Sequence, residues 1–130
     1  MLLLLCICCF QSCKKSSDYP AEDPIIKFWS ITHLQFNDDP PITLDKCTSE
    51  DYLDIRKDHI ALSYHCEYSK LDSIPSYHIH KLNWKRKVDK TYSVYSDDES
   101  MKGVMRIDSL QQLHLQLNKT GGRVMKATFK

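Results

Sequence analysis

His78 and His80 stand two residues apart in Tyr77–Lys85, a segment whose residue types suit a strand. Residues two apart on a strand project to the same side, so both imidazoles can meet one zinc or copper ion. Leu82 and Trp84 share their parity, which turns the pair inward. A site needs at least a third ligand, and His65 or His33 would have to be brought there by the fold. The simpler reading, which we adopt, is a polar strand facing solvent or one histidine hydrogen-bonded in the core. Lys81, Lys85, Arg86, Lys87 and Lys90 surround Trp84. Such basic, aromatic clusters can bind phosphate or nucleic acid. Yet eighteen Lys and Arg stand against seventeen Asp and Glu, a formal charge of +1. A solvated face is therefore expected, and nucleic acid is not expected as a partner. Asp97-Asp98-Glu99 could offer oxygens to calcium, but lacks the spaced ligands of a calcium loop and reads as a polar turn. There is no Gly-x-Ser-x-Gly, no His-Glu-x-x-His, no Gly-rich phosphate loop and no Cys-x-x-Cys after residue 13. A non-enzymatic protein without a cofactor is expected.

The chain's 130 residues leave room for one domain. The first thirteen, MLLLLCICCFQSC, carry no charge and are followed at once by Lys14 and Lys15. They are too few to cross a bilayer, which needs about 20 apolar residues, and are the right length for the apolar core of a secretory signal. Phe10-Gln11-Ser12-Cys13 resembles a bacterial lipobox: a bulky apolar residue, a small residue just before the cysteine, then the cysteine. That resemblance implies cleavage before Cys13 and a lipid on its thiol. It divides the chain into a signal peptide (1–12), a lipid-anchored flexible tether (13–24) and a domain (25–130). Several acyl chains, palmitate among them, would hold firmly where one binds only marginally.

The domain alternates with period two rather than with the spacing of a helix. Leu53 and Ile55 share a face in Asp51–Arg56. So do Ile60, Leu62, Tyr64 and Cys66 in His59–Glu67, Leu113, Leu115 and Leu117 in Leu110–Leu117, and Met125, Ala127 and Phe129 in Arg123–Lys130. Ile25–Phe36, Tyr77–Lys85, Thr91–Tyr95 and Met101–Asp108 complete eight segments, with Pro24 and Pro75 just outside strands. Short strands joined by short loops suggest an antiparallel meander. Closing it into an up-and-down eight-stranded β-barrel removes both edges and covers the apolar face. A two-sheet sandwich is the competing closure. A barrel of about eight strands is either filled by side chains or holds one small ligand. Leu62, Tyr64, Trp84, Leu113, Leu115 and Met125 or Phe129 are the residues expected to line its interior.

Cys6, Cys8 and Cys9 would leave with the signal, so Cys47 and Cys66 remain as an even pair in an oxidising compartment. If Lys57-Asp58 is a two-residue turn, Cys66 faces Ser49, two places from Cys47. That diagonal is slightly long for a regular ladder, but Cys47 precedes the strand and can bend inward. A bridge there would close a loop of about twenty residues and stabilise by roughly 3 kcal/mol. Two free thiols are the alternative.

Taken together, these marks resemble the lipocalin-like domain family of small bacterial lipoproteins. They are Phe28-Trp29-Ser30, Cys47 before Glu50-Asp51-Tyr52-Leu53, the turn and Cys66, Leu82-Asn83-Trp84, and Ile107–Leu115 before a last strand ending at Phe129 and Lys130. One departure is His59, where the family often has Gly after the turn's Asp. The resemblance implies an eight-stranded barrel, lipid-anchored in the bacterial cell envelope at the outer membrane and not cytoplasmic. It implies a small apolar ligand, or alternatively a solid core with an envelope protein as partner.

Overall fold

The computed structural model describes residues 22–130. Cys13, the signal segment and most of the tether lie outside the described residues. Eight strands follow in order: β1 (Phe28–Phe36), β2 (Tyr52–Ile55), β3 (Ile60–Tyr68), β4 (Pro75–Arg86), β5 (Thr91–Tyr95), β6 (Met101–Ile107), β7 (Leu113–Lys119) and β8 (Val124–Phe129). Each pairs antiparallel with the next, and β1 pairs with β8, so the sheet is a closed barrel. Closure gives every strand a neighbour on both sides, although the Pro75–Leu82 part of β4 extends beyond β5 and pairs with β3 alone. The sandwich alternative is thereby set aside. A single short 3-10 turn, Thr48–Glu50, interrupts the described β structure.

Directly paired residues share a face of a sheet. Leu53 pairs with Ser63, which pairs with His80; Ile55 pairs with Ala61, which pairs with Leu82. Leu53, Ile55, Ala61 and Leu82 are core residues, so this set faces inward. The opposite set runs Tyr52, Tyr64, Ile79 and Asp54, Leu62, Lys81, and faces outward. Leu62 therefore stands on the outer face, half-buried, and not in the interior as the alternation had suggested. Tyr64 shares that outer face. Its ring stacks between Tyr52 at 4.7 Å and Tyr77 at 5.6 Å, and Phe28 extends the row at 4.4 Å from Tyr52. The apolar alternation of β3 is real, but it serves an outer aromatic strip and not the core.

The turn before β3 explains part of that error. It holds one residue more than a two-residue loop: Tyr52 pairs with Tyr64, and Ile55 with Ala61. His59 takes a φ of +65°, the left-handed conformation, while Asp58 accepts a hydrogen bond from Ile60 N at 3.2 Å. Such a conformation is uncommon for a residue with a side chain, though His, Asn and Asp adopt it more often than most. Cys66 is consequently one place further from Cys47 than expected. The 3-10 turn Thr48–Glu50 shortens the path, since it rises only about 2.0 Å per residue. Cys47 and Cys66 end at disulfide distance, with Cα atoms 5.3 Å apart, and both are buried.

Two smaller departures have local causes. Pro75 is the first residue of β4, paired with Tyr68, where its missing N–H is tolerated. A bulge at Thr32 re-phases β1. Trp29 and Ile31 face inward before it and Leu34 and Phe36 after it, so the strand supplies both ends of the interior.

The two ends of the barrel differ. At the end where β1 starts, Trp29 donates its indole N–H to Ile25 O at 2.8 Å, and Trp84 donates its own to Arg56 O at 2.9 Å. Trp84 meets Tyr92 edge to face at 5.8 Å. Ile25, Ile107, Leu113 and Leu115 complete a packed, buried plug. The Tyr92 hydroxyl donates to the Asp23 carboxylate, which also takes an ion pair from Arg86 at 3.3 Å. Burial and that carboxylate push the Tyr92 phenol well up. The segment before β1 is thus tied down across the closed end.

Candidate functional site

The other end is not filled. An open cavity of about 420 Å³ enters the barrel there, within the ~300–1,000 Å³ range of small-molecule pockets. Its floor and walls are apolar: Ile31, Leu34, Phe36, Leu82, Met101, Leu117, Met125, Ala127 and Phe129, with Ile42 from the loop between β1 and β2. That loop is tied back by Ile42 N donating to Leu34 O at 2.8 Å. The void arises because β3 and β4 turn small or polar residues inward at this level. They present Ser63, His65, His78 and His80, whereas β2 and β7 present leucines at the closed end.

The rim is polar and ionisable. Asp51, just before β2, faces inward with its side chain 7% exposed. Its Oδ2 accepts a hydrogen bond from His65 Nδ1 at 2.5 Å, and its Oδ1 accepts one from Cys66 N at 2.8 Å. The Asp51 hydrogen bond holds the His65 imidazole above its ordinary pKa, against the opposing effect of partial burial. Glu67 lies 3.7 Å from both His65 Nε2 and His78 Nε2. His80 stands on the same wall. What shielding it has lowers its pKa, and Lys119, His78 and His65 add to the effect.

The sequence-derived residues separate clearly against this geometry. His78 and His80 do point inward with Leu82 and Trp84, and His65 joins them across the β3–β4 pair, opposite His78. His33 does not; it is exposed on the outer side of β1. Among the described residues no group of three or more His, Cys, Asp or Glu is placed to hold a metal ion. Two of the three inward imidazoles are engaged by Asp51 and Glu67 instead. Trp84, Leu113 and Leu115 are interior, but they fill the closed end and do not line the cavity. Met125 and Phe129 line it, and so does Tyr64, although its strand position is on the outer face; Leu62 does not. The basic cluster loses its aromatic partner to the core, because Trp84 is buried. Lys81 and Arg86 pair with Asp97 and Asp23. The carboxylates of the Asp97-Asp98-Glu99 turn are answered by protein groups, Asp97 by Lys81 and Asn83 and Glu99 by Lys102. Hydroxyls of Ser96 and Ser100 each donate to Asp98 at 2.7 Å and hold its carboxyl at about 2.

Asp51, Glu67, Lys119 and Arg123 are the site residues that sequence reasoning missed. A signal for two of them was present. Leu113, Leu115 and Leu117 continue in parity to Lys119, and Phe129, Ala127 and Met125 continue back to Arg123. Both belong to the cavity lining. Compared with family models, with curated proteins and with solved structures, the chain gives no match.

Proposed function

We propose that the chain is a lipid-anchored lipoprotein of the cell envelope. Its barrel, of the lipocalin-like kind, takes a small apolar molecule into its open half and catalyses no reaction on it. The observation that carries this reading is the half-filled interior: a packed plug at one end and a cavity with apolar walls at the other. Apolar walls favour apolar surface, at roughly 25 cal/mol per Å² removed from water. Membrane attachment through Cys13 is supported by the path of the chain. The described residues enter at the closed end, where Asp23 and Ile25 lie. The same end carries Lys85, Arg86, Lys87 and Lys90, with Val88 70% exposed among them. A membrane on that side leaves the cavity mouth free.

The test has two parts. The protein purified from envelopes, and again after incubation with a lipid extract, is weighed by native mass spectrometry. A retained small species is expected, and a bare protein in both preparations overturns the ligand reading. Labelled palmitate fed to producing cells should appear on the wild type and not on Cys13→Ser; equal labelling removes the anchor. A second reading, a protein-interaction module, is favoured by the outer strip of Phe28, Tyr52, Tyr64 and Tyr77. A stable cross-linked partner lost on Tyr64→Ser and Tyr77→Ser, without any bound small molecule, would mark it as the better one.

A further inference from the structure

The cavity mouth holds both signs of charge, but they are not equally spent. Its two carboxylates, Asp51 and Glu67, contact histidines, Asp51 through His65 and Glu67 through His65 and His78, pairs that are ionic only when the imidazole is protonated. Its two permanent cations are not matched. Among the described residues neither Lys119 nor Arg123 is ion-paired. The β7–β8 turn sets them side by side. Lys119 N donates to Arg123 O at 2.9 Å, and Gly121 and Gly122 take φ of +100° and +84° between them. Those values suit glycine and exclude most side chains. Lys119 is half-buried. Arg123 is exposed, and its guanidinium lies over the Phe36 ring, 4.1 Å from its centroid, at the edge of the apolar wall.

We propose that the occupant is an amphiphile with a single anionic head. Its apolar body lies along Leu34, Leu117 and Met125, and its head is taken by Lys119 and Arg123. This rests on the ligand-binding reading and adds the chemical class to it. A carboxylate and a phosphate monoester share the required chemistry: negative oxygens that accept hydrogen bonds from an ammonium and a guanidinium. A neutral head of the same chain length would leave both cations unanswered.

The test is calorimetric titration of the full domain with decanoate, decyl phosphate and 1-decanol at one pH and salt concentration. At least one anion should bind tenfold or more tightly than 1-decanol, and the anion that does so identifies the head. Lys119→Met should shrink the anion's preference over the alcohol at least threefold, the Arg123 guanidinium keeping the remainder. Lys119→Arg should keep the preference, which separates loss of charge from loss of fold. Equal binding of anions and alcohol by the wild type overturns the anionic head but leaves the apolar cavity standing. An undiminished preference in Lys119→Met overturns the assignment to Lys119. No binding of any of the three overturns the ligand reading itself.

Discussion

Replacing Asp51 by Asn keeps the shape of the side chain and removes its charge. The Asp51 side chain is 7% exposed and answers two donors, His65 Nδ1 at 2.5 Å and Cys66 N at 2.8 Å. Asn keeps an oxygen for Cys66 N but turns an amide toward His65, which must then accept instead of donate. A hydrogen bond to a charged group contributes roughly 1.5–3 kcal/mol, a neutral one about 1. The substitution should therefore cost about 0.5–2 kcal/mol near pH 6, the difference between those two figures. The pH dependence has a definite sign. The folded-state pKa of His65 is raised above its ordinary 6.5 by the Asp51 hydrogen bond. Its contribution is thus full below pH 6.5, down to where carboxylates titrate, and is lost as pH rises through the folded value. The His65 ring resonances, followed by NMR titration, should show a pKa above 6.5 in the wild type and one below the wild-type value in Asp51→Asn. Urea midpoints at pH 6 and pH 9 should show a penalty for the variant that is larger at pH 6. An unchanged His65 pKa in the variant, or an equal penalty at both values, would refute the pairing.

Three further outcomes are expected. Cys47→Ser with Cys66→Ser should lower stability by roughly 3 kcal/mol under oxidising conditions, read by urea denaturation, and reductant should bring the wild type down to the variant. Ser63→Leu, which adds apolar bulk to the cavity wall without entering the plug, should change stability by less than about 1.5 kcal/mol. It should also weaken binding of 1-decanol at least tenfold, as measured by calorimetry; unchanged binding would place the alcohol elsewhere. Gly103→Ala should destabilise by about 1–3 kcal/mol or more. Its new Cβ would collide with the Gln116 carbonyl oxygen, backbone of the paired strand β7 that cannot swing aside. Thermal melting checks it, and a wild-type midpoint would contradict that close approach.

The strands whose inner face is apolar could be read from their residues, and β3, whose inner face turns polar, could not. Leu113, Leu115 and Leu117 alternate with Gln112, His114 and Gln116, and they do face inward. The same rule applied to β3 selects Leu62, Tyr64 and Cys66, and there it selects the outer face. The alternation rule assumes that the inner face is the apolar one. Where a barrel keeps a void, its inner face carries small and polar residues, in this case Ser63 and His65. An outer face covered by stacked rings and a cysteine at disulfide distance then looks like core. The bulge at Thr32 and the left-handed His59 each shift a register by one residue, and neither has a strong sequence signature. The inward direction of His78 and His80 was accessible because Leu82 and Trp84 anchor their parity. The carboxylate beside His78 was not, since Glu67 reaches it across the β3–β4 pair, through a pairing that only the fold supplies.

Methyl-resolved NMR of the domain titrated with 1-decanol addresses the unfilled half of the barrel most directly. Shifts should concentrate on Ile31, Leu34, Met101, Leu117, Met125 and Ala127, and spare Ile25, Ile107 and Leu113 in the plug. Saturable shifts confined to that set are the predicted result. No shifts at any concentration, or shifts centred on Leu62 and Ile79 of the outer face, would contradict it.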